Sequence, residues 1–471
     1  MTQKIDADLC IIGAGSGGLS VAAGAAQLGR KVVLIEKGEM GGDCLNYGCV
    51  PSKALLAAAK TAQTMRDAGK FGVASVEPQV DFNAVMDHVH GVIASIAPHD
   101  SQERFEGLGV TVLREAGAFV GPREVKAGDT TVAAKHIIVA TGSSPFVPPI
   151  PGHDSVPYLT NETLFENRTR PDHLIIIGGG PIGVEMAQAH RRLGSEVTII
   201  EAVNILNNDD PECVAVVRGA LEREGIKIHE QAKAEKIAPD GDGVAVSLST
   251  GERVVGSHLL MAVGRKPNVD GLNLEAAGIE YGRKGIKTDA KLRTTNSRVY
   301  AIGDVAGGPQ FTHMAGDHAG TIIRNVLFKA RSNRNDAIIP KVTYCDPELA
   351  SVGLSEKEAK EKFGDIKVAR FEAKENDRAK AERHTDGFVK AFTKKNGEII
   401  GATIVSKNAG DLITPWALAL ANKRKIRDFT NFVAPYPTFS ELSKRTAGAW
   451  YTPTLFSDRT RKIVSLLATF D

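Results

Sequence analysis

The chain has 471 residues, with 58 Lys and Arg against 56 Asp and Glu and a formal net charge of +2. Balanced charge offers nothing for a nucleic acid to hold, and no apolar run of about 18 residues is present to span a membrane. Five cysteines, an odd number in a chain long enough for about three domains of ~150 residues, exclude the disulfide scaffold of a small secreted protein and favour a reducing, cytoplasmic home.

Asp8 to Ile12 reads as a buried strand, entered directly from Thr2-Gln3-Lys4 with no signal or transit peptide expected ahead of it. Gly13-Ala14-Gly15-Ser16-Gly17-Gly18 follows, then a helix from Leu19 to Leu28 and a strand from Lys31 to Ile35 ending at Glu36. This is G-x-G-x-x-G in the strand–turn–helix–strand–acid context that it requires. Gly13, Gly15 and Gly18 let the backbone approach a pyrophosphate at a helix N-terminus, and Glu36 can accept hydrogen bonds from a ribose.

Next comes Gly41-Gly42-Asp43-Cys44-Leu45-Asn46-Tyr47-Gly48-Cys49-Val50-Pro51-Ser52-Lys53, which leads into a helix-prone run to Ala62. Residues i and i+5 of an ideal helix have Cα atoms roughly 8–9 Å apart, and a disulfide needs about 4.4–6.8 Å. Cys44 and Cys49 can therefore bridge only if the chain bends, and Gly48 permits a bend. Zinc pairs are usually closer in sequence, and Cys10, Cys213 and Cys345 supply no second pair. Redox use is favoured over two inert buried thiols.

Ala54 to Arg66 and Phe82 to Glu106 read as helices, and Val110 to Phe119, Glu124 to Ala127 and Lys135 to Ala140 as strands. His88, His90 and His99 form no ligand pattern. Ala140-Thr141-Gly142-Ser143 closes a strand with a turn, and Pro145, Pro148, Pro149 and Pro151 stiffen a linker. The first pattern then repeats. A strand from Leu174 to Ile177 leads into Gly178, Gly180 and Gly183, a helix from Val184 to Leu193, and a strand from Glu196 to Ile200 ending at Glu201. Two such units imply two dinucleotides. Glu201 suits the free 2′-hydroxyl of NAD and would repel a 2′-phosphate, and no arginine follows within 202–210, so NADH is expected over NADPH.

Strands Ala245 to Ser249 and His258 to Ala262 complete this unit. Val299 to Ile302 is a short apolar strand ending in Gly303-Asp304, and Phe311 to Ala315 begins a helix. From about Pro340 the composition changes, with strands at Phe388 to Thr393 and Ile399 to Val405 and a helix from Asp411 to Ala421. Arg459 to Ala468 is a basic amphipathic tail, for which packing on a dimer is favoured over contact with a membrane surface.

The cysteine stretch resembles the active-site segment of the flavoprotein disulfide reductases, the class I pyridine nucleotide-disulfide oxidoreductases of the lipoamide dehydrogenase, glutathione reductase and mercuric reductase type. The resemblance implies an α/β fold with two Rossmann-like, three-layer dinucleotide-binding domains and an α+β C-terminal dimerisation domain. The segments would be 1–150 for the first part of an FAD domain, 151–269 for an NAD(H) domain, 270–337 for completion of the FAD domain, and 338–471 for dimerisation. It further implies that FAD sits on the first glycine turn and NADH on the second. Cys49 would face the flavin and Cys44 exchange with substrate. Lys53 would lie near the flavin ring and pair with Glu185. Ala140-Thr141-Gly142 marks the exit from the FAD domain and Gly264 to Asn268 the return. Asp304 would bond the ribityl chain, and the helix carrying His313 and Ala315 would run under the flavin. Hydride would pass from NADH to FAD, then to a Cys44–Cys49 disulfide and on to a disulfide substrate. Cys44 would need a lowered pKa, supplied by a nearby helix N-terminus. Each active site would be shared between the two chains of a homodimer.

One departure bears on the substrate. Where such reductases carry a histidine and a glutamate near the C-terminus, this chain has Tyr436 and Glu441. Histidine titrates near 6.5 and tyrosine near 10, so the phenol is a poor base at neutral pH. Three readings follow: a disulfide reductase with altered proton chemistry, a metal-ion (mercuric reductase-like) or quinone reductase, and a non-catalytic flavoprotein. Mercuric reductases share the tyrosine but also carry a vicinal C-terminal cysteine pair, and no cysteine follows Cys345 here.

Overall fold

The computed structural model describes residues 3–470 and divides the chain into two compact units. The first comprises Met1–Ala68, Ala74–Ala202 and Ile228–Asp336, so both glycine turns and both cysteines of the 44/49 pair belong to it. The second comprises Gly69–Val73, Val203–Lys227 and Ala337–Asp471, and it holds Tyr436, Glu441 and the tail.

In the first unit, strand Gln3–Ile12 runs parallel to Val32–Ile35 on one side and to Thr130–Val139 on the other. Leu9 to Ile12, Val32 to Ile35 and Ile137 to Val139 are all buried, because both faces of this parallel sheet are covered. Val299–Ala301 adds beyond Thr130–Val139 in the same direction. The register aligns Ile12 with Val139 and Val139 with Ala301. Gly13, Ala140-Thr141 and Gly303-Asp304 therefore leave the carboxyl ends of three adjacent strands together, where open α/β sheets bind their ligands. A second parallel sheet repeats the arrangement, with His173–Ile177 between Glu196–Ile200 and His258–Met261.

The second unit is built on a five-stranded antiparallel sheet in the order Lys341–Thr343, Glu348–Gly353, Ile399–Ser406, Phe388–Thr393, Lys367–Glu372. Trp416 stacks on Phe429 at 4.0 Å beneath it. Lys390, buried, is held by Asp210 at 3.0 Å, by Glu212, and by Glu356 at 3.4 Å, which ties helix Pro211–Arg223 to this sheet.

Three expected elements are interrupted. The strand expected over 110–119 is two, Thr111–Leu113 and Gly117–Gly121, and the second joins an antiparallel ribbon with Glu124–Ala127. The helix expected over 82–106 breaks after Asp100, where the Ser101 hydroxyl accepts from the Arg104 N–H and starts a new helix, Gln102–Gly107. The helix expected over 411–421 is divided into Ala409–Leu412 and Thr414–Ala421, with Pro415 in the first turn of the second. The tail forms helix Asp458–Leu467, none of whose residues is buried within the chain. Among the described residues, no helix is long and apolar enough to cross a membrane.

Candidate active site

The two glycine turns share one construction. Gly13 and Gly178 lie at φ +108° and +111°, and a Cβ on either would stand 2.4 Å from the carbonyl oxygen of Ala140 or Ala262. A Cβ on Gly18 or Gly183 would stand 1.9 or 2.0 Å from the carbonyl oxygen of Gly13 or Gly178. These four glycines are demanded by the protein's own packing. Gly15 and Gly180 are different, since a Cβ there would meet nothing within 4 Å. What requires a glycine at these positions is space kept open in front of a helix N-terminus. Helices Ser16–Gln27 and Pro181–Arg192 begin there with no side-chain cap and no acidic residue in the first turn. A bare positive helix end behind an open floor fits a pyrophosphate. The two acids are also equivalent. Glu36 accepts from the N–H of Ala14 at 2.6 Å and of Gly38 at 2.7 Å, and Glu201 accepts from the N–H of Gly179 at 2.8 Å. Each carboxylate stands at the edge of its turn, where a ribose would follow the pyrophosphate.

Beside the first turn lies a polar network that sequence reasoning caught only at Asp304. The Ser143 hydroxyl donates to Asp304 at 2.6 Å, Arg265 donates to the Ser143 hydroxyl at 2.7 Å, and Arg265 pairs with Asp43 at 3.0 Å. Burial pushes the Asp304 carboxyl up, and Ser143 and Arg265 oppose the shift. Thr141 donates to the carbonyl of Asn268 at 2.7 Å, so the Ala140–Gly142 turn is fastened to the segment that returns through Gly264. The clue to the network was an arginine inside the glycine-proline return linker, next to an aspartate in the cysteine stretch.

The cysteine stretch is wedged against the first turn. Gly42 lies at φ +60°, and a Cβ there would stand 2.7 Å from the Cα of Gly15. Cys44 rides on a short helix, Gly42–Asn46, which ends at Tyr47, and a new helix, Cys49–Asp67, starts at Cys49 itself. The bend falls at Gly48 as expected, because a Cβ at that position would stand 2.9 Å from the Asp43 carboxylate and 3.0 Å from the Asp43 carbonyl oxygen. Pro51 is accommodated in the first turn of the second helix.

The two sulfurs are thiols in contact and are electrically unequal. The hydrogen bond between them, with burial second, pushes Cys44 far above the usual thiol range. The same hydrogen bond pulls Cys49 down to about 6 against its burial, helped by the Thr312 hydroxyl and the charge of Lys53. Thr312 Oγ1 lies 3.3 Å from Cys49 Sγ. The expectation of a lowered pKa on Cys44 is thus reversed: Cys44 keeps the proton and Cys49 carries the charge. Thr312 and Asp43 act on both sulfurs; what favours the charge on Cys49 is Lys53 and its place at the head of a helix, whose N-terminus suits a negative charge. Lys53 pairs with the buried Glu185 at 2.9 Å.

Ala315 is buried, its methyl 3.4 Å from where a Cβ on Gly17 would be, and it backs the glycine turn. His313 is exposed and stacks on Phe311 at 5.2 Å. Tyr436 is 70% exposed and its hydroxyl donates to Asp377 at 3.2 Å, which pushes the phenol above its ordinary pKa. Glu441 begins helix Glu441–Leu455 a few residues on. Both belong to the second unit.

Comparison with known proteins agrees along nearly the whole chain. Residues 7–319 match the pyridine nucleotide-disulphide oxidoreductase family and residues 339–447 match its dimerisation domain. The chain is 36% identical to a mercuric reductase of Streptomyces lividans, covering 93% of this chain and 95% of that protein. It is equally 36% identical to a dihydrolipoyl dehydrogenase of Thermus scotoductus, over 92% of this chain and 95% of that protein. Among solved structures, LpdA from Mycobacterium tuberculosis superposes with a TM-score of 0.86 at 26% identity, covering 95% of this chain and 99% of that one. The Cu(II) complex of the HOCl-induced flavoprotein disulfide reductase RclA from Escherichia coli superposes with a TM-score of 0.84 at 26% identity, covering 93% and 98%. Members of this family bind FAD and use NAD(P)H, which the two open glycine cradles fit, and the matched dimerisation domain indicates a homodimer. This chain belongs to the pyridine nucleotide-disulphide oxidoreductases, as a flavoprotein oxidoreductase of the lipoamide dehydrogenase and mercuric reductase type.

Proposed function

We propose that the protein is a cytoplasmic NADH-dependent disulfide reductase that works through Cys44 and Cys49. The observation that carries this reading is the contact between Gly42 and Gly15, since it keeps the cysteine pair against a nucleotide cradle. Bound FAD supplies acceptance of hydride from the nicotinamide and delivery of the electron pair to sulfur. Glu201 at the second cradle supports NADH over NADPH. When the Cys44–Cys49 bond opens, the pair takes up two electrons and one proton. The charge settles on Cys49, held by Thr312 and Lys53, and the proton stays on Cys44. Cys44, once deprotonated, attacks a substrate disulfide and releases one thiolate. Cys49 then attacks Cys44, re-forms the internal bond and releases the second.

In this scheme the Cys44 proton must leave before attack, and the position of the usual base is held by Tyr436 of a second copy of the chain, a phenol that accepts a proton poorly at neutral pH. Anaerobic titration of the flavoprotein with NADH tests the reading. A long-wavelength thiolate-to-flavin band is expected, absent in Cys49→Ser and retained in Cys44→Ser, with disulfide turnover lost in both. If Cys49→Ser keeps the band, the assignment fails.

Tyr436 also favours a second reading, reduction of a metal ion, because a bound cation needs no proton taken from a thiol. The mercuric reductase relatives and the Cu(II) complex of RclA lie in that direction. An acceptor screen with disulfides, Cu(II) and Hg(II) separates the two.

A further inference from the structure

Helix Thr312–Ile322 turns inward one titratable group that the redox scheme leaves unused. His318 is 1% exposed, and its Nδ1 accepts a hydrogen bond from the backbone N–H of Gly303 at 3.2 Å. Only an unprotonated ring nitrogen can accept, so the proton of the neutral imidazole is on Nε2. Gly303 lies at φ +67° and passes the chain from strand Val299–Ala301 into Asp304. Its carboxylate is the one at the carboxyl end of the sheet, beside the first glycine turn.

The surroundings of the ring divide sharply. Helix Ser16–Gln27, packed on the same helix, carries no charged residue. The charged groups acting on the ring are Arg334 and Asp336 from the following segment and Asp317 from its own helix. Arg334 opposes a charge on the ring and the two aspartates favour it, while burial outweighs all three and holds the histidine below its ordinary pKa. Arg334 and Asp336 are 3.5 Å apart. His318 Nε2, Arg334 Nη1 and Asp336 Oδ1 are each buried without a hydrogen-bond partner, so no bond on the Nε2 side fixes the ring. Its orientation depends on the bond to Gly303.

We infer that His318 is a positioning residue for the flavin site: in its neutral, Nδ1-accepting form it fixes the Gly303–Asp304 turn and so sets how Asp304 is presented to FAD. This rests on the reading of Asp304 as a flavin contact. A protonated ring would set an N–H against the Gly303 N–H, two donors with nothing to accept, and the turn would loosen. Flavin affinity then falls on acidification.

The test is FAD rebinding to the apoprotein, followed by quenching of flavin fluorescence, at neutral pH and stepwise to well below the ordinary histidine pKa, because burial holds His318 beneath that value. In His318→Asn the side-chain oxygen can take the place of Nδ1. This variant is expected to bind within about twofold of the parent at neutral pH and to lose the acid weakening. His318→Gln, whose amide sits one carbon too far out, and His318→Leu, which has no acceptor, are expected to bind at least about tenfold more weakly. Parent-like binding by both overturns the inference. Should the Leu variant fail to fold, the comparison of Asn with the parent still decides, because equal acid weakening in the two also overturns it. Asp304→Ala separates the premise from the inference. Unchanged affinity in Asp304→Ala removes both, whereas weakened affinity there with unchanged affinity in the Gln and Leu variants removes only the role of His318.

Discussion

The hydroxyl of Thr312 lies 3.3 Å from the sulfur of Cys49, across 263 residues of chain. With Cys44 and Lys53 it is one of three groups that draw the Cys49 pKa down to about 6, and unlike Cys44 it is not one of the paired sulfurs. Thr312→Val keeps the shape and removes the donor. A hydrogen bond to a charged sulfur is worth about 1.5 kcal/mol, so the Cys49 pKa is expected to rise by about one unit. A lowered pKa means thiolate persists down to lower pH in the parent. The long-wavelength band of the reduced Thr312→Val enzyme should therefore titrate in at a pH about one unit higher. An unchanged midpoint would leave Cys44 and Lys53 to account for the whole shift.

Gly15 and Gly42 touch, yet substitution should separate them. At Gly42 an added methyl would meet the Gly15 Cα at 2.7 Å on a residue at φ +60°, so Gly42→Ala is expected to lower stability by at least about 2 kcal/mol. At Gly15 the methyl meets only open space, so Gly15→Ala should keep its melting temperature as apoprotein and bind little FAD. Gly180→Ala is the equivalent variant in the second cradle, and there the flavin should remain while NADH binding is lost. Thermal melts and flavin-to-protein ratios on the three proteins check this. A Gly15→Ala protein that binds FAD normally would mean that the open floor is not a pyrophosphate site.

These contrasts show what could be read from sequence. Glycine turns, helix starts and terminal acids are local, so Gly13 to Glu36 and Gly178 to Glu201 announce themselves by spacing alone. The bend at Gly48 was legible for the same reason, because two cysteines five apart cannot meet on an unbroken helix. Thr312, Ser143 and Arg265 were not legible as a group, since separate long-range contacts place them: the register of Val299–Ala301 on Thr130–Val139 brings Ser143 to Asp304, the pairing of Arg265–Pro267 with Ser143–Pro145 brings in Arg265, and helix Thr312–Ile322 carries Thr312 to Cys49. The polarity of the sulfur pair was misread because its causes are three-dimensional. The Cys44–Cys49 hydrogen bond splits the two thiols, and Lys53, brought close by the fold, bears on Cys49.

The Lys53–Glu185 pair has an asymmetric dependence. Glu185 is 6% exposed at its side chain and Lys53 is 38% exposed. Removing the lysine takes the opposite charge away from a buried carboxylate, whereas neutralising the glutamate leaves a lysine that still reaches water. Lys53→Met is expected to cost about 2 kcal/mol and Glu185→Gln less than half of that, with the double variant Lys53→Met, Glu185→Gln nearer to the milder single one. Denaturant melts of the holoenzyme measure the difference. Equal costs for the two single variants would show that the pair is not buried in the assembled enzyme.

The tail helix Asp458–Leu467 exposes Ile463, Val464, Leu466 and Leu467 on a chain whose family forms dimers through the preceding domain. Truncation after Phe456 is expected to weaken dimerisation, read as monomer appearing at low protein concentration in sedimentation. An unchanged dimer that no longer floats with vesicles of anionic lipid would assign the helix to a membrane surface instead.

Tyr436 gives the sharpest test of substrate. Its hydroxyl donates to Asp377, and that carboxylate pushes the phenol pKa upward, further from any use as a base at neutral pH. Cys44, meanwhile, holds its proton far more firmly than an ordinary thiol. A disulfide reductase built on these two groups is short of a proton acceptor at the step where Cys44 must become a nucleophile. Tyr436→His restores a group that titrates near 6.5. General-base catalysis contributes about 100-fold or more where it operates, so disulfide turnover should rise by at least about tenfold above pH 6.5 and fall again as the imidazole is protonated below it. Turnover of a metal-ion acceptor should be unaffected or reduced. Were disulfide turnover to stay flat across that pH range, the pocket would not admit such substrates and the metal-ion reading would stand in its place.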